Sequence, residues 1–103
     1  MTTTLAIAHG RNARADRAAL VTLSNDGMPW QNNGKTLRGL AGPARSWGML
    51  NPSLRPVVAQ ADFVVYSFQT PIAWRVCGVW TVDTANYSAT TNRHLAHVGA
   101  LVP

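Results

Sequence analysis

Between residues 62 and 83 the chain reads DFVVYSFQTPIAWRVCGVWTVD, three apolar, β-branched runs separated by short turn-forming pieces. DFVVYSF (62–68), IAWRV (72–76) and VWTVD (79–83) have strand composition, and QTP interrupts the first pair. Cys77 and Gly78 supply a tight turn, so the third run is expected to fold back antiparallel on the second. Alternation places Val64, Tyr66 and Phe68 on one face and Phe63, Val65 and Ser67 on the other. Both faces are largely apolar, which predicts a central strand.

After Tyr87 the period lengthens. In SATTNRHLAHVGALV (88–102), Thr90 or Thr91 can cap a helix that turns Leu95 and Val98 toward the sheet and stops at Gly99. Upstream, NARADRAALVTL (12–23) suits a helix capped by Asn12, although ALVTL also reads as a strand. SNDG (24–27) and NNG (32–34) are turn clusters, which puts MPWQ (28–31) on a connecting segment. From Gly34 to Pro56, glycine and proline recur too closely for a long regular element. Leu37, Leu40, Met49, Leu50 and Leu54 nevertheless give this stretch enough apolar surface to pack, so ordered loops are expected, followed by a helical turn over 57–61 with Pro56 at its start. The pattern predicts one α+β domain over 1–103: a small antiparallel sheet of three to five strands, a C-terminal helix and a loop-rich middle.

Composition restricts the chemistry available to such a domain. Charged residues are 13% of the chain, so its polar surface must be built largely from Ser, Thr, Asn and Gln. Nine Lys and Arg, eight of them Arg, stand against four Asp and no Glu, for a net charge of +5. An acidic partner is therefore expected, and the planar guanidinium fork serves protein carboxylates and nucleic-acid phosphates alike. Arg11, Arg14 and Arg17 recur every three residues, along one side of a helix if 12–23 is helical. Trp combined with Arg is the composition of binding hot spots. Trp74 and Trp80 flank the Cys77-Gly78 turn at a spacing that permits cross-strand packing, whereas Trp30 and Trp47 lie on irregular segments and are expected to be exposed. The partner-binding set is accordingly Arg11, Arg14, Arg17, Trp30, Arg38, Arg45 and Trp47.

Catalytic chemistry has little material. Cys77, His94 and His97 form at most a three-ligand set, His9 lies far off near the terminus, and structural zinc normally asks for four ligands. Ser88, His94 and Asp83 can be written as a triad, but no nucleophile elbow surrounds Ser88, and helix capping accounts for Ser88, Thr90 and Thr91. Four scattered aspartates do not supply an acid and base pair. GKT at 34–36 lacks the glycine that a phosphate loop needs five residues earlier, where Pro29 stands. Neither an enzyme nor a cofactor or metal is expected. The lone cysteine excludes an internal disulfide and suits a reducing compartment. No apolar run approaches the ~20 residues that span a bilayer, and no secretion signal is visible.

YSFQTPIAWR, the later Trp80 and NYSATTNRH resemble an uncharacterised domain of small actinobacterial phage proteins and related mobile elements, with a pattern Y-S-Y-x-T-P-I-A-W, Trp, Y-S-x-T-T-x-x-H. Tyr66, Ser67, Thr70, Pro71, Ile72, Ala73, Trp74, Trp80, Tyr87, Ser88, Thr90, Thr91 and His94 match it, and Phe68 replaces a second tyrosine. With NGKTLRG at 33–39, the resemblance covers roughly residues 30–97 and leaves 1–29 outside. It implies phage origin and carries over no catalytic residue. The expected protein is therefore a non-enzymatic phage accessory protein in the host cytoplasm, binding a host protein, disturbing its activity and impairing host growth. Nucleic-acid binding is the alternative expectation, and pairing of two copies through an edge strand is open.

Overall fold

A computed structural model describes residues 3–5 and 13–102. His9, Arg11 and the expected cap Asn12 lie outside the described residues. Among the described residues six strands form one sheet in sequence order: β1 Thr3–Leu5, β2 Trp30–Asn32, β3 Leu37–Ala41, β4 Phe63–Ser67, β5 Thr70–Val76 and β6 Val79–Val82. Helix α1 (Ala13–Asn25) connects β1 to β2, α2 (Arg55–Val58) follows β3, and α3 (Ala89–Val98) follows β6.

The α+β class and the C-terminal helix are as expected, but the sheet is larger and mixed. It has six strands rather than three to five, and β1 runs parallel to β2 while every other pair is antiparallel. A parallel pair needs a long crossover, which α1 provides. MPWQ is not a plain connection, because Trp30 and Gln31 lie on β2, and the loop-rich middle contains β3. The turn between β2 and β3 is closed by Asn32, whose Oδ1 accepts from the backbone N–H of Thr36 and Leu37 at 2.8 and 3.1 Å.

β4 is buried throughout and lies between β3 and β5, the central position its two apolar faces require. Phe63 and Val65 join Leu20, Trp30, Leu37, Ile72, Trp80 and Val98 under α1 and α3. Val64 and Tyr66 join Leu50, Val58, Ala61 and Trp74 on the opposite face, beneath α2 and the loop before it. Trp74 and Trp80 both pack into the protein but do not pair. Trp74 stands opposite Thr81 and Arg75 opposite Trp80, so the two indoles cover opposite faces. Cys77 and Gly78, at φ 51° and 79°, form the tight β5–β6 turn.

Thr70 and Pro71 belong to β5 rather than to a bend; Phe68 and Gln69 make the turn. Proline is tolerated there because the register slips between Val65 and Tyr66, a bulge, and because β6 pairs with β5 only from Ala73 onward.

Two close fits fix the layers. Gly39 stands opposite Trp30, and a Cβ at Gly39 would collide with the Trp30 indole and come within 2.8 Å of the Phe63 ring. Arg75 closes the C-terminal end of α1, which has no basic residue in its own last turn. Its Nη1 donates to the carbonyls of Asn25 and Ser24 at 3.0 and 3.3 Å, and its Nε donates to Asp62 at 2.7 Å. The same guanidinium lies 5.5 Å from the Trp80 ring centre. A cation here meets the negative end of the helix dipole.

Candidate functional site

Two polar regions flank the β4–β5 turn. The first is a chain of hydroxyl groups ending on an imidazole. Ser88, not Thr90 or Thr91, caps α3, accepting from the Thr91 N–H at 3.3 Å. Capping requires an extended residue before the first turn, and Ser88 has φ −66° and ψ 164°. The cap positions Thr91 one turn in, on the side of α3 that faces β4, and His94 follows on the same side. Ser88 Oγ donates to Thr91 Oγ1 at 3.3 Å, Thr91 Oγ1 lies 2.9 Å from Ser67 Oγ, and Ser67 Oγ lies 2.7 Å from His94 Nδ1. Ser67, Thr91 and His94 are all buried. Burial lowers the His94 pKa below its usual value, with His97 and Arg93 pushing the same way. The imidazole tautomer sets the direction of the series: with the ring proton on Nε2, Nδ1 accepts from Ser67 and the hydroxyl protons run from Ser88 toward His94.

Above this chain is a cavity of about 400 Å³, walled by Phe68 and Met49 and floored by Ser67, Thr70 and Thr91. Phe68 takes a positive φ of 55°, uncommon for a residue with a side chain, and its ring lies 6.1 Å from that of His94. Thr70 Oγ1 accepts from the Met49 N–H at 2.8 Å, which ties the loop before α2 to the cavity. Gly48, at φ 50°, approaches so closely that a Cβ would run into the Thr70 hydroxyl. Tyr87 at the rim donates to Asp83 Oδ2 at 2.5 Å, and burial together with this carboxylate raises its pKa well above the usual phenol value. Asp83 therefore serves Tyr87 and His94 serves Ser67. The Ser88, His94 and Asp83 combination does not assemble as a triad.

The second region lies on the other side of the turn, on the sheet face that carries Tyr66. Arg38 lies 5.7 Å from the Tyr66 ring centre and reaches the Phe68 carbonyl at 3.5 Å. The Arg45 N–H donates to the Tyr66 hydroxyl at 2.9 Å. These side chains border a cleft of about 300 Å³ completed by Ser46 and Gln69. Burial raises the Tyr66 pKa, with Arg45 and Arg38 opposing it, so the phenol stays neutral and able to accept. Trp47, half-buried, carries Arg55 over its ring at 5.6 Å. The Arg75–Asp62 ion pair involves none of these three arginines.

The expected partner-binding residues divide accordingly. Arg38, Arg45 and Trp47 come together on one face. Arg14 and Arg17 are exposed on α1, which covers the opposite face, and Arg11 is outside the described residues. Trp30 is a correction: it is fully buried, its indole N–H donating to Ser24 Oγ at 2.9 Å, because β2 turns it inward against Gly39. It cannot meet a partner. Arg55 was missed, and only its spacing from Trp47 across Pro52 could have suggested it. Ser67 was missed as well. A serine hydroxyl buried in an otherwise apolar strand needs a partner, and that requirement was its signal. Among the described residues no three His, Cys, Asp or Glu side chains gather as a metal site, and no helix is long and apolar enough to cross a membrane. Cys77 is exposed at the hairpin tip.

Fold and site together define an α+β protein whose single mixed sheet carries helices on both faces, with a basic cleft and a neutral polar cavity on either side of one turn. The chain belongs to a family of unknown function, DUF8033, whose model matches residues 11–100 and so takes in α1 as well as the C-terminal half. No curated protein and no solved structure matches it.

Proposed function

We propose that this protein is a non-enzymatic accessory protein of a phage or related mobile element that binds an acidic surface of a host protein in the host cytoplasm and perturbs its activity, to the point of impairing growth. The phage context rests on the sequence pattern from Tyr66 to His94. The binding mode rests on the clustering of Arg38, Arg45 and Arg55 with Tyr66 and Trp47 on one face. Arginine held against an aromatic ring loses little freedom when it meets a carboxylate, and a planar fork can bind that carboxylate with two hydrogen bonds.

The test is retrieval of a host protein by a tagged copy, compared with an Arg38→Glu, Arg45→Glu double variant that retains the wild-type melting temperature. Specific retrieval by the wild type alone supports the proposal, and equal retrieval by both refutes it. The net charge of +5 favours nucleic acid as the second reading. Appreciable affinity for arbitrary duplex DNA, falling steeply with salt, would make that the better account.

A further inference from the structure

The cavity beside the β4–β5 turn is not part of the arginine cleft, and its chemistry is different. None of its eight lining residues carries a charge. An ionic group placed there would give up part of its hydration without gaining a counter-charge. A neutral ligand has no such penalty. Phe68 and Met49, both exposed, offer an aromatic ring and a flexible thioether against which an apolar ring face can lie.

The hydrogen-bonding groups narrow the class further. Thr70 Oγ1 has accepted the Met49 N–H and keeps its own proton for a ligand. The Asn86 side-chain oxygen accepts from Asn92, which leaves the Asn86 NH₂ as a donor at the rim. Ser88 Oγ has donated to Thr91 and accepted the Thr91 N–H, which leaves one lone pair facing outward. Donors on Thr70 and Asn86, and acceptor lone pairs on Ser88 and on the Tyr87 hydroxyl that has donated to Asp83, therefore surround a space of about 400 Å³. A carboxylate, which only accepts, would leave the Ser88 lone pair facing it, and an ammonium, which only donates, would face the Thr70 and Asn86 protons. Adjacent hydroxyl groups on an apolar ring do both.

We infer that this cavity is a binding site for a neutral polyhydroxylated ring, that is, a sugar, seated with one face on Phe68 and Met49 and its hydroxyls on Thr70, Asn86 and Ser88. The Ser88–Thr91–Ser67–His94 chain holds the floor in place, because every hydroxyl in it already has a hydrogen-bond partner. Small ligands of this kind bind weakly, so a dissociation constant of about 1 mM is expected.

The test is a titration of isotope-labelled protein with methyl glucoside, methyl galactoside, methyl mannoside and N-acetylglucosamine, followed by amide chemical shifts. The methyl glycosides mimic a ring linked in a glycan and the reducing sugar mimics a free one, so their relative affinities identify the source. Expected are saturable shifts at Phe68, Thr70, Ser88 and Thr91 with at least one of these sugars, and weaker binding of its phosphorylated counterpart. Phe68→Gly is the companion variant: glycine accepts the positive φ, so the fold is kept while the ring wall is lost, and affinity should fall at least fivefold. Absence of saturable shifts with all four sugars overturns the inference. So does unchanged affinity in Phe68→Gly, or tighter binding of the phosphorylated sugar.

Discussion

Ser67 Oγ lies 2.7 Å from His94 Nδ1, and these two residues, 27 positions apart, join the central strand to the C-terminal helix. Burial of the ring, with His97 and Arg93 acting the same way, is what favours the neutral imidazole. In the imidazolium both ring nitrogens carry protons, so Nδ1 can then only donate to Ser67.

That relationship predicts a pH dependence of stability. Burial lowers the folded-state pKa of His94 from its ordinary 6.5, so the unfolded chain takes up a proton first. Stability should be at its full value above about pH 6.5, decline as the pH falls from there to the depressed folded value, and then level off. Urea unfolding at about pH 7.5 and about pH 5 measures the loss. His94→Gln keeps a side chain that can face Ser67 and should flatten the dependence.

Arg75 should be among the most sensitive charged positions. It closes α1, pairs with Asp62 and lies over Trp80, so Arg75→Ala should cost about 2 kcal/mol. Arg75→Lys should recover less than half, because an ammonium cannot serve the two helix carbonyls and the carboxylate in one plane. Asp62 is 51% exposed, and Asp62→Asn should cost under about 1 kcal/mol. Thermal or denaturant unfolding of the three variants orders them.

At the Trp30–Gly39 contact the direction of change matters more than its size. Gly39→Ala adds one methyl group where there is no room and should destabilise by about 1–3 kcal/mol. Trp30→Phe removes volume and leaves Ser24 without its indole partner, at a cost of about 2 kcal/mol. If the collision is the cause, the double variant should be more stable than the sum of the two single losses implies, and a double-mutant cycle reads this.

Reversing charge at Arg38 and Arg45 should leave the melting temperature within a few degrees of the wild type, since neither guanidinium is in the ion pair that crosses the core edge. If DNA is the partner, each phosphate contact removed should lower the salt slope of binding by about 1. If a host protein is the partner, DNA affinity stays weak in wild type and variant alike, and retrieval of the protein is lost.

The legible part of the fold lay where apolar periodicity is long. β4, β5 and β6 and the turn at Cys77-Gly78 could be read directly, as could α3 to within its cap, because four or more residues in succession obeyed one period. β1 and β2 have three residues each, too short for alternation to register, and β2 falls between two turn clusters that read as loop. Trp30 was misplaced for that reason, since a strand so short is specified by its neighbours across the sheet. The candidate site was legible only as residue types. Ser67, Thr70, Ser88, Thr91 and His94 could be picked out in order, but the one-turn rise from Ser88 to Thr91 and the approach of α3 to the end of β4 are matters of packing. Those decided that His94 meets Ser67 instead of Ser88.

The tight β5–β6 turn leaves the chain's single thiol at a hairpin tip, remote from both the basic cleft and the neutral cavity. A maleimide fluorophore can therefore be attached to the wild-type sequence at one defined point, without engineered cysteines. Such a conjugate would report association by anisotropy while the cleft and the cavity stay chemically untouched.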